Sequence, residues 1–202
     1  MTSSMPNLMA TEPRVPRARM TGLYGGLLKM AMKKMLGGVP AGAEVMWHHP
    51  AIFKDTMKYG RRTEKWDQLD HELVVLATMA TAAEIGCSFC LDLHDFMSHN
   101  KGFDEAKARE VPRWRESDLF TSLERDVMRY AEAMSQTPPT VTDELSARLL
   151  EQLGAPGLVE LAAFAALANS MARTNVALGI KAQGFSAACG LPPMAQPSSV
   201  AS

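Results

Sequence analysis

The chain has 202 residues, 47% of them apolar and 21% charged, with a formal net charge of −1. That balance excludes a disordered chain, and the near-neutral charge gives no overall pull toward nucleic acid. Three cysteines are too few to staple a chain of this length, so the expectation is one domain with an apolar core of its own.

Residues 1–19 hold Pro6, Pro13 and Pro16 among Ser, Thr and Arg, and read as a flexible arm. Prolines and arginines stand where the apolar stretch of a leader would be, and no run of about 18 apolar residues is evident. The expected compartment is therefore the cytoplasm, where thiols are kept reduced and a neighbouring pair can cycle. The first 40 residues carry six basic side chains and one acidic one, and eight of the 15 methionines fall in the first 50 positions.

Residues 20–36 read as an amphipathic helix with Tyr24, Leu27, Leu28, Ala31 and Met35 on one stripe. Packing on the domain or on a second subunit is preferred to membrane contact, because two glycines and moderate basicity weaken surface binding. Gly37-Gly38-Val39-Pro40 ends that helix. Helices follow over 42–48 and from Pro50 to about Tyr59, with Gly60-Arg61-Arg62-Thr63 as a turn. His48 and His49, beside Trp47, point to different helix faces and suit packing and capping better than a metal.

From Asp67, a possible N-cap, Leu69, Leu73, Leu76, Ala77 and Ala80 make the apolar face of a helix ending near Gly86. A second helix starts at the cysteines and runs through Met97, so the two form a hairpin with Cys87-Ser88-Phe89-Cys90 at its bend. Asp104 caps a short helix stopped by Val111-Pro112. Further helices are expected over 117–135, over 142–153, and from Pro156 or Gly157 to about Ala182. The last is apolar almost all round and is expected to be buried. Residues 184–202 read as a flexible tail, with Cys189 a bystander in it. No segment alternates as a strand does, so the fold class is all-α: residues 20–183 form a single helical domain.

Cys87 and Cys90 are three residues apart and Cys90 and His94 four, which places all three on one helical face. The thiolate is the reactive form of cysteine, and two features favour it here. A helix beginning at the bend turns its positive end toward the cysteines, and His94 can take the Cys90 proton directly or through water. A positioned base is worth roughly 10²–10⁴-fold, against about 0.3–1 kcal/mol for an exposed helix end. The larger effect makes Cys90 the attacking thiol and Cys87 the resolving one. Two other readings use the same residues: a structural or sensing dithiol without efficient turnover, and a zinc ion on Cys87, Cys90 and His94 with water as fourth ligand. No second Cys/His cluster is present to close a structural zinc site.

The segment Cys87-Ser88-Phe89-Cys90-Leu91-Asp92-Leu93-His94, after the apolar helix containing Glu72-Leu73-Val74-Val75-Leu76-Ala77, resembles the alkylhydroperoxidase D (AhpD-like) and carboxymuconolactone decarboxylase family. The resemblance is good over residues 45–105 and weaker around Leu123-Glu124-Arg125 and Arg173-Thr174-Asn175. It implies an AhpD-like helical bundle, assembly into homo-oligomers, and thiol-dependent reduction of (alkyl) hydroperoxides with the second cysteine attacking. It also implies an external thiol reductant and no cofactor or metal beyond a redox-active Cys87–Cys90 disulfide. The cysteine pair argues against lactone decarboxylation. The family's relay glutamate sits twelve residues before the first cysteine, where this chain has Val75. Glu72 and Glu84 are the candidates to replace it.

Overall fold

Helix α4 (His71–Ile85) is the element on which the other core helices pack. Asp70 caps it, accepting the Glu72 N–H at 2.8 Å, so the cap lies three residues later than the expected Asp67. The residues preceding the helix are held by a buried carboxylate: Glu160 accepts the N–H groups of Gln68 and Leu69 at 3.0 and 3.2 Å. The expected face is fully formed, with Leu69, Leu73, Leu76, Ala77 and Ala80 all buried. Against it pack Val127 and Met128 of α7 (Ser122–Ser135) and Leu149, Leu161 and Ala165 of α8 (Asp143–Ala177). Each Leu, Val or Met side chain removed from water here contributes about 1.5–3 kcal/mol.

These observations come from a computed structural model in which residues 12–196 are described. The described residues are helical with no strand, as the all-α reading requires. In chain order the remaining elements are α1 (Gly22–Leu36), α2 (Ala41–Met46), α3 (Pro50–Thr63), α5 (Ser88–Asn100), α6 (Glu105–Glu110), a 3-10 turn over Val111–Glu116, and α9 (Phe185–Ala188). Most of the expected arm, residues 1–11, lies outside the described residues, as do the final six residues of the expected tail.

Several boundaries differ from expectation for local reasons. Gly60 does not end α3, which continues to Thr63 with the Thr63 hydroxyl donating to the Gly60 carbonyl at 2.7 Å. Helix α7 starts five residues after Ser117, because Thr121 and Glu124 form a reciprocal capping box. The Arg125 guanidinium ties the preceding loop down by donating to the carbonyls of Trp114, Ser117 and Phe120. His49 caps α3 through Nδ1, and His48 Nε2 meets the Pro16 carbonyl at 2.8 Å, so both histidines have the capping and packing roles expected of them.

Helix α8 is broken at Gly154, whose left-handed φ of 68° separates its two parts. It is not buried all round. Val159 is 69% exposed, and Val176 is also open to solvent. In the second part Leu161 and Ala165 meet the main core and Ala172 meets the cluster around the cysteines. Helix α1 likewise buries Leu28 but leaves Leu27 and Met35 exposed, so its expected stripe is only partly covered.

The described ends of the chain are also ordered. Arg14 donates to the Val176 and Ala177 carbonyls at 2.9 and 2.7 Å, and its N–H to Leu178 at 2.9 Å. Instead of a tail, residues 182–188 fold back on α5. Asp92 accepts the N–H groups of Gln183, Gly184, Phe185 and Ser186, together with the Ser186 hydroxyl, all within 3.1 Å.

Candidate active site

Helix α4 ends at Gly86, which takes a left-handed conformation (φ 76°) that a side chain would resist. The Cys87 N–H reaches back to the Ala82 carbonyl at 2.9 Å and turns the chain into α5. Cys87 is the N-cap of α5, one position earlier than a first-turn placement, and its sulfur accepts the Cys90 N–H at 3.3 Å. The two cysteines are joined as a disulfide, with Cα atoms 5.3 Å apart, inside the range such a bond requires. Ser88 accepts the Ala182 N–H at 3.2 Å, which closes the folded-back C-terminal segment over the turn.

The two sulfurs differ in access. Cys87 is wholly buried, whereas Cys90 borders a cavity of about 460 Å³ that His94 also lines. The shared helical face is therefore divided: Cys90 and His94 open on the cavity and Cys87 is sealed behind them. The cavity lies between α3, α4, α5 and α8. Its wall is mostly apolar, including Val74 and Val75 of α4, Leu93 and Met97 of α5, and Phe164 and Met171 of α8.

Burial and, second to it, the positive charge of Lys101 hold the His94 imidazole down to about 4 from an ordinary 6.5. At neutral pH the ring is thus uncharged, the state a proton acceptor needs. Helix α8 contributes a residue that the motif did not point to: the Asn175 side-chain amide donates to Cys90 Sγ at 3.4 Å in a buried setting. Its signal in the sequence was a polar side chain in an otherwise apolar helix.

Neither candidate relay glutamate reaches the cavity. Glu72 is exposed and acts on Lys107, raising that ammonium's pKa as a minor contributor. Glu84 is exposed beside the bend. Val75, at the position where the family has its glutamate, lines the cavity as an apolar wall residue, and His71 lines it one turn earlier on α4. The proton relay read onto Glu72 or Glu84 is therefore not assembled in this structure. With the cysteines paired, no three His, Cys, Asp or Glu side chains gather to hold an ion among the described residues, so the zinc arrangement is not assembled either. Cys189 is a free, exposed thiol at the end of α9.

Residues 50–133, from α3 through α7, match the carboxymuconolactone decarboxylase family. The chain is 37% identical over 137 residues to the uncharacterized protein YnjA of Escherichia coli, covering 68% of this chain and 74% of that one. It is 29% identical over 98 residues to the uncharacterized protein YdfG of Bacillus subtilis, covering 48% and 67%. Two solved structures share its fold at low identity. The debrominase Bmp8 in complex with 2,3,4-tribromopyrrole superimposes with a TM-score of 0.75 at 19% identity, covering 90% of this chain and 97% of that one. An AhpD-core, peroxidase-related protein from Ralstonia eutropha gives 0.73 at 17%, covering 86% and 94%. The chain belongs to the carboxymuconolactone decarboxylase family, with the AhpD-like all-helical fold and a Cys-x-x-Cys pair at its helical bend.

Proposed function

We propose that the protein is a dithiol peroxidase that reduces organic hydroperoxides. The observation that carries this reading is the unequal access of the paired sulfurs: Cys90 alone opens on an apolar cavity, beside an uncharged histidine and the Asn175 amide. In the reduced protein His94 takes the Cys90 proton, and Asn175 stabilises the thiolate by its N–H. The thiolate attacks the terminal oxygen of ROOH and the O–O bond breaks. The departing RO⁻ takes the proton held by His94 and leaves as ROH, with Cys90 as a sulfenic acid. The Cys87 thiol then displaces water and forms the disulfide. Two further electrons from an external thiol or dithiol restore the pair, so the cycle needs no bound cofactor.

This reading carries a reducing, cytoplasmic setting. It also carries a homo-oligomer, supported by the apolar side chains that the single chain leaves bare on α1 and α8. Single substitutions test it with peroxide consumption and sulfenic-acid trapping. Cys87→Ser is expected to accumulate a sulfenic acid at Cys90, and Cys90→Ser to lose turnover. Peroxide use by Cys90→Ser at the wild-type rate would overturn the assignment. A disulfide that forms without sustained turnover would instead identify a sensor.

The bromopyrrole complex of the fold neighbour motivates a second assay. Two thiols can reduce an aryl bromide to the arene, bromide, a proton and a disulfide. Bromide release from a tribromopyrrole without peroxide consumption would move the protein to that chemistry.

A further inference from the structure

The cavity is apolar along most of its wall, yet two cations border it. Arg61 stands near the end of α3 and Lys101 immediately after α5, and Glu64 is the one carboxylate among the lining residues. Elsewhere on the molecule basic side chains beside buried carboxylates are matched: Lys107 with Glu124, Arg115 with Glu132, Arg148 with Asp126. The side chains of Arg61 and Lys101 form no ion pair or hydrogen bond with a described residue. Two unmatched cations on the rim of an apolar cavity form a counter-ion site, with chain-burying surface below it and charge above.

The cations also have a defined position relative to the reactive sulfur. Lys101 follows Cys90 by eleven residues, so about 16 Å of helix axis separate them. It lines the same cavity as His94, where its charge is felt. The anchoring charge thus lies beyond the acid/base group as seen from Cys90, at the far end of the same wall.

We propose that the cavity takes an amphipathic hydroperoxide with a long apolar body and a terminal carboxylate, the carboxylate held by Lys101 and Arg61 and the hydroperoxide presented to Cys90. The chain would lie along Val74, Leu93 and Met97. The chemistry of this assignment rests on the peroxidase reading; the binding preference does not. The reaction is then ⁻O₂C–R–OOH plus the Cys87–Cys90 dithiol giving ⁻O₂C–R–OH, water and the disulfide, so the carboxylate is an anchor that takes no part in the redox step.

Binding is tested on the oxidised full-length protein by calorimetry with decanoate and decanol as probes, both kept below their aggregation concentrations. Decanoate is expected to bind about tenfold more tightly, and Arg61→Gln with Lys101→Gln to reduce that preference to about threefold or less. Lys101→Arg should retain it, and circular dichroism checks that each variant is folded. On the reduced protein, linoleic acid hydroperoxide should be consumed with a higher kcat/KM than its methyl ester.

Equal binding of the two probes, with acid and ester consumed equally, would overturn the substrate class and leave the peroxidase reading standing. Failure of both probes to bind, as when a second copy fills the cavity, would also overturn it. A charge-dependent decanoate preference with no hydroperoxide consumed would support the ligand class and sink the peroxidase reading.

Discussion

Asn175 of α8 donates its side-chain amide to the sulfur of Cys90 at 3.4 Å, joining two residues 85 positions apart in the chain. A hydrogen bond to a charged acceptor is worth about 1.5–3 kcal/mol, and here the charged acceptor is the thiolate. Asn175→Ala is therefore expected to slow alkylation of Cys90 at neutral pH by roughly tenfold or more, measured with iodoacetamide on the reduced Cys87→Ser protein. Asn175→Asp should slow it further, since a carboxylate would face the developing anion.

His94 sets an acid limit on the fold. Its folded-state pKa is depressed to about 4 from 6.5, so between those values the unfolded chain binds a proton that the folded protein does not. Stability is lost through this ring as pH falls from 6.5 toward 4, by on the order of 3 kcal/mol. Urea unfolding of wild type and His94→Gln across that window checks this. The variant should lack this acid loss, so its stability relative to wild type should rise as pH falls from 6.5 to 4.

The opposite sign is expected at Asp95. Burial and the neighbouring Asp92 carboxylate raise its pKa above the ordinary 3.8, so the folded protein holds that proton more tightly than the unfolded chain. Asp95 therefore costs stability once pH rises above the ordinary carboxylate range. Asp95→Asn should raise the urea midpoint at pH 7, with the gain vanishing near pH 3.

Asp92 is buried and accepts four backbone N–H groups and one hydroxyl from residues 183–186. Asp92→Ala would strand those donors, and a single unsatisfied buried donor already costs about 1–3 kcal/mol. A loss of roughly 3–5 kcal/mol is expected by chemical denaturation. Dithiothreitol should also reduce the Cys87–Cys90 disulfide faster, because the segment that covers it through Ser88 and Ala182 is no longer fastened.

The hairpin and its dithiol were legible in the sequence because their determinants are local. Gly86 supplies the left-handed turn, the 3- and 4-residue spacings are helical, and the apolar face of α4 repeats over about three turns. The fold-back of residues 182–188 was not legible. Its partner, Asp92, binds main-chain N–H groups, which leave no mark on residue identity. The start of α7 is local in origin, since Thr121 and Glu124 form a capping box five residues into the expected helix. Arg61 was hidden for a different reason: Gly60 reads as a stop, yet α3 continues through it to Thr63 and places Arg61 at the cavity. The relay glutamate could not be found among Glu72 and Glu84 because both face away from the cavity-lining side of α4, formed by His71, Val74, Val75 and Thr78.

Helix α5 is committed on two sides at once. One side offers Cys90 and His94 to the cavity, and the other holds the end of the chain through Asp92. Little of its surface remains free to vary without touching either the chemistry or the closure. Adaptation of the cavity to a new substrate, by natural drift or by laboratory evolution, must therefore fall on the facing wall, at Met57 of α3 and Leu167 and Met171 of α8. Libraries confined to those three positions should change which molecules are accepted while leaving the folding of the helical bend intact.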